Sequence, residues 1–143
     1  MKFVFSGRGS VATGALVIGV LDTNKLTKSA MDLNKKSGGA LVRAIKSSPF
    51  NGKVSQSLTL LSPAGTKLDR ILAVGFGKVG DIDEKAMHKL GGQIFSALKA
   101  SNSKSATILI DEVEKSKLSS ADMAVAIAEG AKLRSYRFDK YHT

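Results

Sequence analysis

The sequence predicts an α/β fold, and three observations carry that prediction. Short apolar runs alternate with longer stretches of helical spacing. Two of the runs, Ile71–Val74 at every position and Ala106–Ile110 at all but Thr107, are apolar, as strands buried on both faces must be. A third, Val54–Leu61, sets Val54, Gln56, Leu58 and Leu60 against Ser55, Ser57 and Thr59, the mark of a strand with one wet face.

Taken in chain order, Lys2–Ser6 and Ala15–Leu21 read as the first two strands. They are joined through Gly7-Arg8-Gly9-Ser10, whose glycines allow a tight connection. A link this short does not accommodate a crossover, so the two strands are expected to be antiparallel. Asp22-Thr23-Asn24 offers helix-capping chemistry, and Leu26–Ile45 reads as one helical region broken at Ser37-Gly38-Gly39 and ended before Pro49. After the strands Val54–Leu61 and Ile71–Val74, Asp81 or Asp83 caps a helix reaching about Ala100, with Ala86, Leu90, Ile94, Ala97 and Leu98 on its inner face. Gly91-Gly92 inside that helix costs about 1 kcal/mol per glycine relative to alanine, so something must pack very closely there. Ser119-Ser120-Ala121-Asp122 opens a last helix as a capping box, with Met123, Ala126, Ile127, Gly130 and Leu133 on the inner stripe. Internal repeats and proline-rich linkers are lacking, so residues 1–143 are expected to form one domain.

Composition narrows the function classes. Hydrophobic residues at 43% and charged residues at 24% are ordinary for a globular chain and argue against fibrous or disordered classes. The lack of cysteine removes disulfides, thiolate zinc sites and thiol nucleophiles, and fits a reducing compartment. The apolar stretch within Met1–Ser6 is too short for an export signal before Arg8 interrupts it. Ala15–Leu21 is about a third of the length a spanning helix needs. Lysine and arginine total 22 against 12 acids, and the resulting charge of +10 permits contact with nucleic acid. The basic residues are mostly lysine and are dispersed, without interleaved aromatics, so a solvated basic surface is the preferred reading. Nucleic-acid binding, as the alternative, would weaken steeply with salt.

Several motifs invite a functional reading. Gly75-Phe76-Gly77-Lys78-Val79-Gly80 follows an apolar strand and precedes a helix, the context of a dinucleotide fingerprint. The ribose-binding acid of that motif should follow about 20 residues on. Asp111 lies farther along, and Asp81 and Asp83 put negative charge where phosphate would sit, which favours a plain strand-to-helix turn. His88 lies between Lys85 and Lys89 on the expected wet face of its helix, and His142 is too distant to share a metal with it. Asp111-Glu112-Val113-Glu114 follows a buried strand, and its carboxylates could hold a hard cation. An acidic loop balanced by Lys115 and Lys117 is the simpler reading. Arg134–Thr143 carries aromatics at positions 136, 138 and 141 beside its charges, more sticky surface than a free tail keeps, so it is expected to dock on something.

Two resemblances follow. Ser37-Gly38-Gly39-Ala40-Leu41-Val42-Arg43-Ala44-Ile45 resembles, in part, the glycine-rich loop and helix of macro domains, which bind ADP-ribose, although the asparagine-rich strand end of that motif is missing. Arg70-Ile71-Leu72-Ala73-Val74-Gly75-Phe76-Gly77-Lys78-Val79-Gly80, the Gly91-Gly92 helix and the run from Ala128 to Tyr141 occur in that order. They resemble the amino-terminal domain of leucyl aminopeptidases, the last run being the most specific. This resemblance implies a macro-domain-like three-layer sandwich, with a mixed sheet and helices on both faces. It also implies a cytoplasmic, hexameric exopeptidase that removes amino-terminal residues, preferring leucine. The family's two divalent ions, zinc or manganese, are held in a carboxy-terminal catalytic domain whose signature, Asn-Thr-Asp-Ala-Glu-Gly-Arg, does not occur here. No catalytic, metal or cofactor residue is therefore carried over, and the chain is expected to be the inactive accessory domain, stopping short of the catalytic one. A nucleotide or ADP-ribose binding module and a DNA-binding regulatory domain are the alternatives.

Overall fold

Seven successive buried residues, Ala15–Leu21, demand apolar contact on both faces, and β2 (Thr13–Leu21) finds it in the middle of the sheet. The computed structural model describes residues 2–6 and 13–141, except for the side chains of 140 and 141. The remaining elements are β1 (Lys2–Ser6), β3 (Lys25–Leu26), α1 (Lys28–Lys36), α2 (Ala40–Lys46), β4 (Ser57–Leu61), β5 (Lys67–Gly77), α3 (Glu84–Ala100), β6 (Ser105–Leu109) and α4 (Ser120–Tyr141). The sheet order is β1-β6-β2-β5-β4, with β3 attached to β2. Strands β1, β6, β2 and β5 are mutually parallel, whereas β4 runs antiparallel to β5.

Alternate residues of the central strands point to opposite faces, and each face has its own core. Val17, Leu72, Val74, Phe76 and Ile108 pack with Met87, Leu90, Ile94 and Leu98 of α3 and with Met123 and Ile127 of α4. On the other face, Leu16, Ile18, Val20, Ile71 and Ala73 pack with Ala30 and Leu33 of α1 and with Leu41 and Ile45 of α2. The result is a three-layer sandwich whose mixed sheet carries helices on both faces, as expected.

Several local expectations need correction. β1 and β2 are parallel and not neighbours, because β6 lies between them. β2 is buried from Ala15 onward and needs a strand on each side; β6, largely apolar, fills that place, while the half-exposed β1 suits the edge. The link Gly7-Arg8-Gly9-Ser10 lies outside the described residues. Asp22-Thr23-Asn24 forms a 3-10 turn and does not cap α1, because Lys25–Leu26 first pair back on β2. Thr27 caps α1 instead, its hydroxyl accepting from the Ala30 amide at 3.4 Å. β4 begins at Ser57, not Val54, because residues 53–56 turn over the end of β5, with the Gln56 side chain accepting from the amides of Asn51 and Lys53.

The break at Ser37-Gly38-Gly39 is where the sequence puts it. Gly39 enters α2 at φ 85°, a conformation open to glycine at little cost. Asp83 caps α3 by accepting from the Ala86 amide at 2.8 Å.

Helices α3 and α4 run side by side in parallel, and their glycines explain the close packing that Gly91-Gly92 foretells. A Cβ on Gly91 would overlap the Ile127 carbonyl oxygen, and one on Gly130 would overlap the His88 carbonyl oxygen. Beyond this crossing Arg134 donates to the Ser96 hydroxyl at 2.7 Å, and Phe138 meets Phe95 edge to face at 6.1 Å. Ala131 takes the inner place expected for Leu133, which is left 43% exposed. The segment expected to dock elsewhere is thus partly used within the domain: α4 continues through Tyr141, Phe138 packs on α3, and Tyr136 remains 59% exposed.

Candidate functional site at the carboxyl edge of the sheet

Parallel α/β sheets bind ligands beyond the carboxyl ends of their strands, so the segments after Leu21, Gly77 and Leu109 are where function is to be sought. Each of the three is engaged in a particular way.

After β5, the fingerprint-like Gly75-Phe76-Gly77 belongs to the strand itself, and its amides are taken. The Gly75 amide donates to the Gln56 carbonyl at 3.0 Å and the Gly77 amide to the Gly52 carbonyl at 2.9 Å. A Cβ on Gly75 would overlap the Lys53 carbonyl oxygen. The glycines therefore admit the backbone of residues 52–56 where a nucleotide motif would admit pyrophosphate. We expect Gly75→Ala to lower stability by about 1–3 kcal/mol, as for other overpacked sites. Urea denaturation would measure this, and an unchanged midpoint would contradict the packing role.

After β6, the acidic run divides between the two helical layers. Asp111 is buried, 8% exposed, and its carboxylate accepts from the Ser29 amide at 2.7 Å and the Ser29 hydroxyl at 2.6 Å, at the start of α1. Glu112 Oε1 accepts from the Ser120 amide at 3.1 Å and the Ser120 hydroxyl at 2.6 Å, at the start of α4. Ser119 adds the expected cap, accepting from the Asp122 amide at 3.1 Å. Strand parity explains the division. Ala106, Ile108 and Ile110 face the α3 and α4 layer, and Glu112 continues that side, whereas Leu109 and Asp111 face α1 and α2. Both carboxylates stabilise helix amino termini, where negative charge is favourable. Among the described residues no group of three or more His, Cys, Asp or Glu side chains is placed to hold a metal ion.

After β2, the turn Asp22–Asn24 leaves Asp22 Oδ1 and Asn24 Oδ1 buried and without a hydrogen-bond partner among the described residues. The Asn24 amide nitrogen is used, donating to the Phe50 carbonyl at 3.1 Å. Of the remaining motif residues, His88 is half-buried and not fully solvated, because its turn of α3 lies against Gly130. His142 lies outside the described residues. Gly38 and Gly39 are engaged within their own turn: the Gly38 carbonyl accepts from Arg43 at 2.8 Å, and the Gly39 amide donates to the Asn34 carbonyl at 2.8 Å. The pairings made by Asp111 and Glu112 were missed in the sequence, although continuing the parity of β6 past Leu109 assigns each acid its side.

A mixed sheet between two helical layers, with its loops gathered at one edge, is the macro-domain-like class of α/β sandwich. The macrodomain of Mycobacterium tuberculosis DarG matches 92% of this chain and 91% of its own at a TM-score of 0.67 and 14% identity, a likeness of fold alone. Residues 17–143 match the amino-terminal domain of the cytosol aminopeptidase family, and the chain belongs to that family as this domain. Over 122 residues, 85% of the chain, it is 38% identical to a "Probable cytosol aminopeptidase" of Rhodopseudomonas palustris strain BisA53. It is 31% identical over its whole length to the protein of that name from Nitrobacter winogradskyi. The chain spans 22% and 28% of these two relatives. A tomato leucine aminopeptidase mutant matches 94% of the chain and 28% of its own length, at 25% identity and a TM-score of 0.73.

Proposed function

We propose that residues 1–143 are a single, non-catalytic accessory domain of a cytoplasmic leucyl aminopeptidase. In this reading a carboxy-terminal catalytic domain removes amino-terminal residues from peptides, preferring leucine, and the present domain contributes to assembly of a hexamer or to its regulation. The names of the relatives support the activity, and the small share of their length that the chain spans supports the division of labour.

The observation that carries the reading is the commitment of Asp111 and Glu112. A two-metal hydrolase needs several carboxylates converging on a pair of ions, with an open position for the attacking water. Here the acidic run at the ligand-binding edge is divided between opposite layers, its first two acids each already accepting two hydrogen bonds. These residues do not fit a zinc or manganese pair, and no hydrolytic step is assigned to them.

The purified chain, supplied with manganese or zinc, is expected to leave leucyl chromogenic substrates uncleaved. Hydrolysis that a chelator abolishes would overturn the proposal. A thermal shift with millimolar ADP-ribose or NAD would favour a nucleotide-binding module instead.

A further inference from the structure

Residues 54–66 contain no charged side chain, between Lys53 and Lys67, in a chain that is 24% charged. This neutral stretch supplies an edge of the sheet, β4. Edge strands of soluble proteins are usually blunted by lysine, proline or a bulge, because their free amides and carbonyls template pairing with another chain. β4 has none of these. Its register on β5 is regular from Ser57 opposite Val74 to Leu61 opposite Arg70, and Pro63 comes only after it. The other edge strand, β1, begins with Lys2.

Among the described residues, the hydrogen bonding fixes which backbone groups are free. The Gly75 amide donates to the Gln56 carbonyl, and the Ser62 amide donates to the Asp69 carbonyl, so residues 56 and 62 direct their backbone groups toward β5. By the alternation of an antiparallel ladder, Leu58 and Leu60 do the same, and Ser57, Thr59 and Leu61 direct theirs outward. The side chains are equally uneven. Leu58 and Leu60 pack against the α1 and α2 core. Leu61, on the face of α3 and α4, is 63% exposed, and Val54 beside the same edge is 49% exposed.

We propose that β4 is a self-pairing edge, on which two copies of this chain join their β4 strands antiparallel about a twofold axis at Thr59. That register pairs every residue of the strand. It sets Thr59 against itself, Ser57 against Leu61 of the second copy, and Leu58 against Leu60 of the second copy. Outward groups then meet outward groups in about six inter-strand hydrogen bonds. Leucine meets leucine on the α1 and α2 side, extending that core across the axis. The register itself points to a second copy as the occupant, because the strand matches its own reverse, with Leu58 and Leu60 of each copy on the α1 and α2 side and no residue left unpaired. Two molecules at +10 repel each other, and a strip of neutral residues is where they can approach without opposing like charges. A five-residue pairing is small beside a standard interface of about 1,600 Å², so the dimer is weak, reversible and strengthened by salt that screens the repulsion.

This inference deepens the assembly role proposed above and rests on it, but its test is separate. Sedimentation equilibrium of the purified chain is expected to show a monomer–dimer equilibrium that tightens as salt is raised. Leu61→Lys, which places a charge on the strand, is expected to weaken it by about tenfold. Thr59→Pro, which removes an outward amide and leaves the β5 ladder intact, is expected to weaken it similarly, with the thermal midpoint of each variant reporting that it folds. Because the chain lacks cysteine, Thr59→Cys is expected to form a disulfide-linked dimer under oxidation at least about tenfold faster than an exposed control, Ser47→Cys, since paired residues here sit at disulfide distance. A chain that stays monomeric at high concentration and high salt overturns the proposal, as does a dimer that persists in both folded variants or cross-links equally fast at position 47. Slowed amide exchange at Ser57, Thr59 and Leu61 in a full-length parent protein, but not in this chain at high concentration, would assign the edge to the rest of that protein and also overturn it. A monomer without peptidase activity overturns the edge pairing alone. Chelator-sensitive turnover overturns the accessory-domain reading whatever the sedimentation result.

Discussion

Replacing Gly130 by alanine is expected to destabilise the protein by about 2 kcal/mol, and Gly91→Ala by a similar amount. The sign is the point of the experiment. Helix propensity alone makes either change stabilising by about 1 kcal/mol, because glycine is the poorer helix former. Packing opposes it. A methyl group at Gly130 would occupy the position of the His88 carbonyl oxygen, and one at Gly91 that of the Ile127 carbonyl oxygen. Both obstacles are helix backbone, so relief requires α3 and α4 to move apart, loosening the contacts of Met87, Leu90 and Ile127 that they share. The two substitutions act on one crossing, so the helices displaced by the first have already made room for the second. The double variant should therefore lose less than the sum of the singles. Urea titrations of the three variants measure both effects, and a raised midpoint in either single variant would contradict the close crossing.

Asp111→Ala is expected to cost about 3 kcal/mol. The carboxylate is buried and accepts from both the amide and the hydroxyl of Ser29, so its removal leaves two donors at the start of α1 without a partner. The favourable interaction of a negative charge with the helix amino terminus is lost as well. Asp111→Asn keeps one acceptor oxygen and is expected to lose about half as much. Glu112→Ala makes the internal control. Glu112 accepts from Ser120 in the same two ways but is exposed, so water replaces it and the loss should stay near about 1 kcal/mol. The order of the three variants tests whether burial sets the cost. If Asp111→Ala and Glu112→Ala had equal midpoints, the tie between β6 and α1 would not be holding the layers as described.

Much of the architecture was legible in local pattern. Ile71–Val74, apolar at every position, and Ala106–Ile110, apolar but for Thr107, are interior strands because no other place buries both faces. The break at Ser37-Gly38-Gly39, the Asp83 cap and the close approach at Gly91-Gly92 follow from what those residue types do to a helix. Order within the sheet was harder to read. The antiparallel pairing expected of β1 and β2 rested on the length of their link, but which strand neighbours which depends on how much burial each one needs, and β6, far along the chain, met the need of β2. The acidic run shows the same limit at the site. Composition and position make Asp111-Glu112-Val113-Glu114 a candidate cation loop, whereas two helix termini, that of α1 distant in sequence and that of α4 close by, turn its first two acids into caps.

The sequence by itself determined the α/β class, the interior strands and the family, because periodicity and motif are properties of neighbouring residues. The tertiary structure alone decided the sheet order, the partners of Asp111 and Glu112, the occupation of the Gly75 and Gly77 amides by residues 52–56, and the open edge at β4. Each of these depends on which segment the fold brings beside a given strand or side chain, a choice that local pattern does not encode.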